Sequence, residues 1–243
     1  MIPILNLIIQ FPHSCNILMD WCGSSLQIQE SQRMETSVIA RGHFRLIILF
    51  LYILGSHTVL AAESDEFTEL DTQQLVARLQ QGGLIIYFRH AATDQTQEDQ
   101  HPVVLDKCKT QRNLSAEGKS QMANAGAAFK RLSIPVDEVF SSPFCRCKDT
   151  AKIAFGKYTI NTDLYFSVAL EKEQRDQQTR SLQILLRTQP ESGNRVIVSH
   201  TANLREATGL WPKPEGVAYI FEPTNNDSHH LLGIIKPDKW EQL

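Results

Sequence analysis

The sequence lacks several features, and each absence closes off a class of function. There is no basic excess: 24 Lys and Arg stand against 27 Asp and Glu, a formal charge of −3, so no nucleic-acid surface is indicated. No internal repeat and no low-complexity tract is visible, which argues against fibrous or linker-like chains. The five cysteines show no zinc-ligand spacing; Cys145 and Cys147 lie two apart with no second pair to complete a site. No glycine-rich phosphate loop is present. The longest apolar run of the N-terminal region, Leu46 to Leu54, is short for a transmembrane helix. With 42% hydrophobic and 21% charged residues, the remaining option is one ordinary globular domain, with or without a leader.

A leader is legible. Arg41 and Arg45 precede Leu46–Leu54, small and apolar residues run on to Val59-Leu-Ala-Ala62, and Glu63, Asp65 and Glu66 then turn the chain acidic. That order is a secretory signal. We expect residues 34–62 to be a signal peptide cleaved near Ala61-Ala62, with 63–243 as the mature domain, exported to a periplasm or to the medium. An uncleaved membrane anchor is the alternative. Met34 would begin a leader of normal length, so residues 1–33 read as an over-extended start or non-mature segment, although Ile2–Ile9 is apolar enough for a genuine extension beginning at Met1. Export leaves Cys108, Cys145 and Cys147 in a compartment that permits disulfides. One bridge, Cys108–Cys145, and one free thiol are expected; the alternative is three buried thiols.

The mature chain alternates helix and strand. Asp71 caps a short helix to Gln81. Leu84–Phe88 is a continuous apolar run after Gly82-Gly83, the pattern of a strand buried on both faces. A polar loop from Ala92 to Cys108 precedes a helix capped by Ser115. Strand Val136–Ser141, helix Cys147–Phe155, a short strand Tyr158–Ile160, helix Glu173–Arg187, strand Arg195–Ser199 and helix Asn203–Thr208 follow. Strands Val217–Phe221 and Leu231–Ile235 close the chain around the turn Pro223–Ser228. This predicts an α/β fold of three layers, a mostly parallel sheet with helices on both faces.

Three predicted strands end in groups of one kind: Arg89-His90 after the first, Arg146 shortly after the second, His200 after the third. In a parallel sheet these ends share one edge, where ligands bind. Two guanidinium forks suit phosphate oxygens, and neighbouring cations disfavour imidazole protonation, leaving a nucleophile. With no metal cluster or phosphate loop, side chains must supply the charge.

The pieces Arg89-His-Ala-Ala-Thr93, Leu114-Ser-Ala-Glu-Gly118, Ser141-Ser-Pro-Phe-Cys-Arg146 and Val198-Ser-His200 together resemble the histidine phosphatase superfamily, with its phosphoglycerate mutases, acid phosphatases and phytases. His200-Thr-Ala-Asn-Leu204 also resembles the exported acid-phosphatase group, except that Thr201 stands where an acid usually follows. The resemblance implies a phosphoglycerate mutase-like fold and a metal-independent phosphoric monoester hydrolase without cofactor, acting on a small phosphomonoester. His90 would take the phosphoryl group as a phosphohistidine, and Arg89, Arg146 and His200 would hold its oxygens. A phosphomutase and a non-catalytic phosphate-binding module are the alternatives. The proton donor is open between Glu215, favoured because Gly216 allows close approach, and Glu171 or Glu173. Thr93 and Arg112 are placed as substrate contacts. His101, His229 and His230 are read as exposed in polar loops, and Trp211 as packing. No nucleic-acid partner is expected, and membrane contact only through an uncleaved signal.

Overall fold

A computed structural model describes residues 69–243. The expected leader, start site and cleavage point in residues 1–62 lie outside the described residues. Helix α1 (Thr72–Gln81) begins where Asp71 accepts from Gln74 N–H and Gln74 reaches back to Asp71 N–H, both at 2.9 Å, a reciprocal cap that satisfies two orphan donors. Strand β1 (Ile85–Arg89) follows, then α2 (Ala116–Arg131), β2 (Val136–Ser141), α3 (Cys145–Phe155), β3 (Thr159–Ile160), α4 (Lys172–Arg187), β4 (Asn194–Ser199), α5 (Thr201–Thr208), β5 (Ala218–Thr224) and β6 (Ser228–Ile235).

The six strands form one sheet in the order β3-β2-β4-β1-β5-β6. The first four run parallel, while β5 and β6 pair antiparallel beyond β1. The side-chain period of two divides β1 between two cores. Ile86 and Phe88 meet Leu75 and Leu79 of α1, Met122 and Phe129 of α2 and Ala151 of α3. Ile85 and Tyr87 meet Leu182 and Leu186 of α4 and Leu204 of α5 on the other face. This is the expected three-layer arrangement, and it explains why β1 reads as an unbroken apolar run: neither face is wet.

Three boundaries differ from expectation. Helix α3 starts at Cys145, so Arg146 sits in its first turn and not on a loop. Extended Phe144 takes the cap position without a side-chain hydrogen bond, so no Ser, Thr, Asp or Asn announces the helix. Helix α5 starts at Thr201, with His200 itself at the cap. Pro223 lies inside β5, opposite His229, beyond Phe221 where pairing with β1 ends; its missing N–H therefore breaks no bond to β1. His229 and His230 consequently belong to β6, and His229 is half-buried with its ring 5.3 Å from that of Phe221.

Candidate active site

The C-terminal edge of the parallel strands gathers the polar groups. His90 follows β1 directly and its backbone is held on both sides: its N–H donates to Ser199 O and its carbonyl accepts from Gly216 N–H, each at 2.9 Å. Gly216 has φ +82° and sits against Gln121, a conformation that L side chains rarely adopt. The next turn is pressed against α2. Ser115 N–H and Oγ both donate to Ala92 O, and a Cβ on Gly118 would come within 2.0 Å of that same oxygen. Only glycine admits this approach, so the Gly118 signal in the sequence is a packing requirement beside His90.

His90 is 3% exposed, and its Nδ1 lies 3.0 Å from Ala91 O. A carbonyl only accepts, so Nδ1 carries the proton and Nε2 keeps a lone pair. Burial, then the Arg146 and Arg89 charges, hold the imidazole well below its ordinary pKa; the Ala91 hydrogen bond opposes them. His200 is buried 5.5 Å away, ring centre to ring centre, with Nε2 2.9 Å from Ser142 Oγ and its ring against Phe144 and Phe166. Its pKa is depressed by burial first and by Arg146 next.

Each arginine is braced by a carboxylate. Arg146, 1% exposed, donates from Nη1 to both oxygens of Asp99 at 3.0 and 3.1 Å, and its guanidinium carbon lies 4.4 Å from the Phe144 ring centre. Arg89 donates to Pro212 O at 3.3 Å and to Glu215 Oε1 at 2.9 Å. Arg112 lies 4.0 Å from the same carboxylate, and its backbone N–H donates to Asp99 at 2.9 Å. Burial pulls Arg89 down from its usual pKa and Glu215 opposes that; a guanidinium so placed remains a cation. The Nε atoms of all three arginines are buried without an acceptor. Such donors are costly unless an anion takes them. The three arginine residues border a cavity of about 620 Å³ that His90 and His200 also line. Chemically this is an oxyanion seat with an unprotonated nitrogen beside it.

The structure brings Arg89, His90, Arg112, Arg146 and His200 to that cavity. It places Thr93 and Glu215 behind it. Thr93 N–H donates to Glu215 Oε2 at 2.8 Å and its hydroxyl to both oxygens, so Thr93 anchors the brace of Arg89 and does not line the cavity. Glu215 borders a neighbouring groove, its oxygens taken by Arg89 and Thr93. Glu171 and Glu173 are exposed at the start of α4 and line neither space. The cavity carboxylates are Glu98 and Asp99, from the polar loop after β1, together with exposed His101 at the mouth. Their one sequence signal is the length of that loop, unusual inside a compact domain. Trp211 is 47% exposed and carries Arg205 and Lys213 over its ring at 4.8 and 5.1 Å; it is not buried packing.

Cys108 and Cys145 form a disulfide with a Cα–Cα distance of 5.6 Å, and Cys147 is free and buried. Cys147 Sγ lies 3.7 Å from His200 Nε2, and burial pushes its pKa up to about 12, so it stays a neutral thiol. Gln111 adds a second tie: its Oε1 accepts from Cys145 N–H at 2.9 Å while its amide donates to Val104 O and Leu105 O. Loop and helix are thus fastened one residue from Arg146. Reduction with dithiothreitol, or Cys108→Ser, is expected to lower unfolding stability by roughly 2–4 kcal/mol, as a bridge closing a loop of this size constrains the unfolded chain. Denaturant melts with and without reductant check this.

The depressed histidines fix a pH dependence. Below about pH 6.5 the unfolded chain takes up protons that His90 and His200 refuse in the fold, so stability is fully present above that pH and declines as pH falls toward their folded pKa values. The slope should approach about 1.4 kcal/mol per pH unit for each imidazole. Urea midpoints at pH 7.5 and 5.5 measure it, and the lower pH should give the lower midpoint.

Residues 85–165 match the family described as histidine phosphatase superfamily, branch 1. The matched segment runs from β1 past Arg146 and includes His90. No curated protein matches the chain. Among solved structures, the chain is similar to the protein histidine phosphatase SixA complexed with tungstate (12% identity, TM-score 0.47, covering 64% of this chain and 98% of that one). It is also similar to a phosphoserine phosphatase mutant from Entamoeba histolytica in complex with phosphoserine (15% identity, TM-score 0.46, covering 63% and 97%). A third is a mycobacterial glucosyl-3-phosphoglycerate phosphatase (14% identity, TM-score 0.46, covering 61% and 96%).

Proposed function

We propose that this chain is a phosphatase that hydrolyses a small phosphomonoester through a phosphohistidine on His90. The observation that carries the reading is the Nδ1–Ala91 contact: it turns the lone pair of a buried, neutral imidazole to Nε2, inside a cavity bordered by three guanidinium groups. Nε2 attacks phosphorus as the ester P–O bond breaks, and the departing alkoxide takes a proton. Water then attacks phosphorus and returns a proton to the group that gave one to the alkoxide, the P–N bond breaks, and inorganic phosphate leaves with His90 restored. Arg89, Arg112, Arg146 and His200 hold the phosphoryl oxygens, whose charge spreads in the transition state. The guanidinium groups supply the positive charge that faces the phosphoryl oxygens. Export through residues 34–62 belongs to the same proposal, and the N-terminal sequence of the secreted protein tests it.

Glu215 braces Arg89, and Asp99 is held by Arg146 through both oxygens. Glu98 is the lining carboxylate that no described side chain holds, and it is the proton donor in this reading. Glu98→Gln should lose rate on alkyl esters, about 10²-fold, and keep it on aryl esters with good leaving groups. Glu215→Gln should lower both alike. Phosphate release from the two ester types measures the contrast, and vanadate binding with no turnover of either ester would favour a binding module.

A further inference from the structure

The cavity beyond the phosphoryl seat is unlike on its two sides. One wall is the short turn Ser167–Ala169 with Phe166 before it, and it offers Phe166, Val168 and Ala169. The other is the loop after β1, which is mainly polar, with Gln97, Glu98, Asp99 and His101 beside Val103. The apolar wall is built firmly. Asn203 Nδ2 donates to Tyr165 O at 2.8 Å, Ser167 N–H donates to Asn203 Oδ1 at 3.5 Å, and the Phe166 ring lies 5.1 Å from that of His200. On this fixed turn Val168 is 59% exposed, facing the cavity. A rigid turn that presents an apolar side chain to open space is preorganised for an apolar ligand group, since little ordering is left to be done on binding.

We infer that Val168 selects the alcohol part of the substrate, and that the substrate is a singly phosphorylated ester of an alcohol with an apolar body. The inference rests on the phosphatase reading above. A sugar or inositol phosphate would press hydroxyls on Val168 and Ala169, whose side chains offer no hydrogen bond, and would lose their hydration without replacement. A second phosphoryl group would be poorly held, since Arg112, the most exposed of the three arginines, is already faced by Glu215 at 4.0 Å.

The test compares kcat/KM for 2-phenylethyl phosphate and glycerol 1-phosphate, two esters of primary alcohols with the same phosphoryl group. The wild-type chain should prefer the phenylethyl ester by about tenfold or more, the discrimination that a few apolar carbons give. Val168→Asp should collapse that ratio; its added charge acts on both substrates alike, so the ratio isolates the apolar contact. Val168→Thr, which keeps the shape, should reduce the ratio by a smaller factor. Turnover of both esters with no preference, or variants that lower both in step, would overturn the substrate class and leave the phosphatase reading standing. No turnover of either ester by the wild-type chain would remove both.

Discussion

His90→Ala should abolish turnover of a generic phosphomonoester, lowering kcat by at least about 10⁴-fold, the scale on which removal of a covalent nucleophile acts. The fold should survive. The backbone N–H and carbonyl of residue 90 make their bonds to Ser199 O and Gly216 N–H whatever the side chain, and the imidazole is replaced by a smaller group beside an existing cavity. The three arginines and His200 remain, so vanadate should still bind within a few-fold. That combination, binding kept and turnover lost, separates a nucleophile from a residue that merely holds the anion. Added imidazole should restore part of the rate, because the seat left by the ring adjoins the phosphoryl position. Activity near the wild-type level in His90→Ala would remove the covalent mechanism.

The parts of the site that were legible before the structure are those that chain direction dictates. A parallel strand must end on a fixed edge, so Arg89-His90, Arg146 and His200 could be brought together from their places after β1, β2 and β4. The strands themselves showed as β-branched runs because both faces of β1 and β4 are covered. The pairings that tune these groups left no such trace. Asp99 meets Arg146 across 47 residues, and Glu215 meets Arg89 across 126. Nothing local to a loop carboxylate tells whether it will point into a cavity or stand behind an arginine. Glu215 stands behind Arg89 because Thr93, whose hydroxyl and N–H both donate to it, holds it there. The same limit applies to α3: with Phe144 at its cap, no sequence signal moves its start back to Cys145.

Arg146 should be the most sensitive position after His90. Arg146→Lys is expected to lower kcat/KM by about 10²–10³-fold, the loss seen when one preorganised donor to a developing oxyanion is removed. A lysine keeps the charge but not the fork. In the native arrangement Nη1 is committed to both oxygens of Asp99 while Nε remains buried without an acceptor, so one plane serves the brace and the anion at once. An ammonium is a point charge that cannot span both, and it would lose the stacking of the guanidinium on Phe144 at 4.4 Å. Asp99→Asn in the wild-type background should cost less, since it loosens the brace and leaves the cation. Combined with Arg146→Lys it should add almost nothing, because the two side chains act as one unit and effects within such a unit are not additive. Full additivity in that double-mutant cycle would mean that Asp99 works on the substrate directly and that the bracing role assigned to it is wrong.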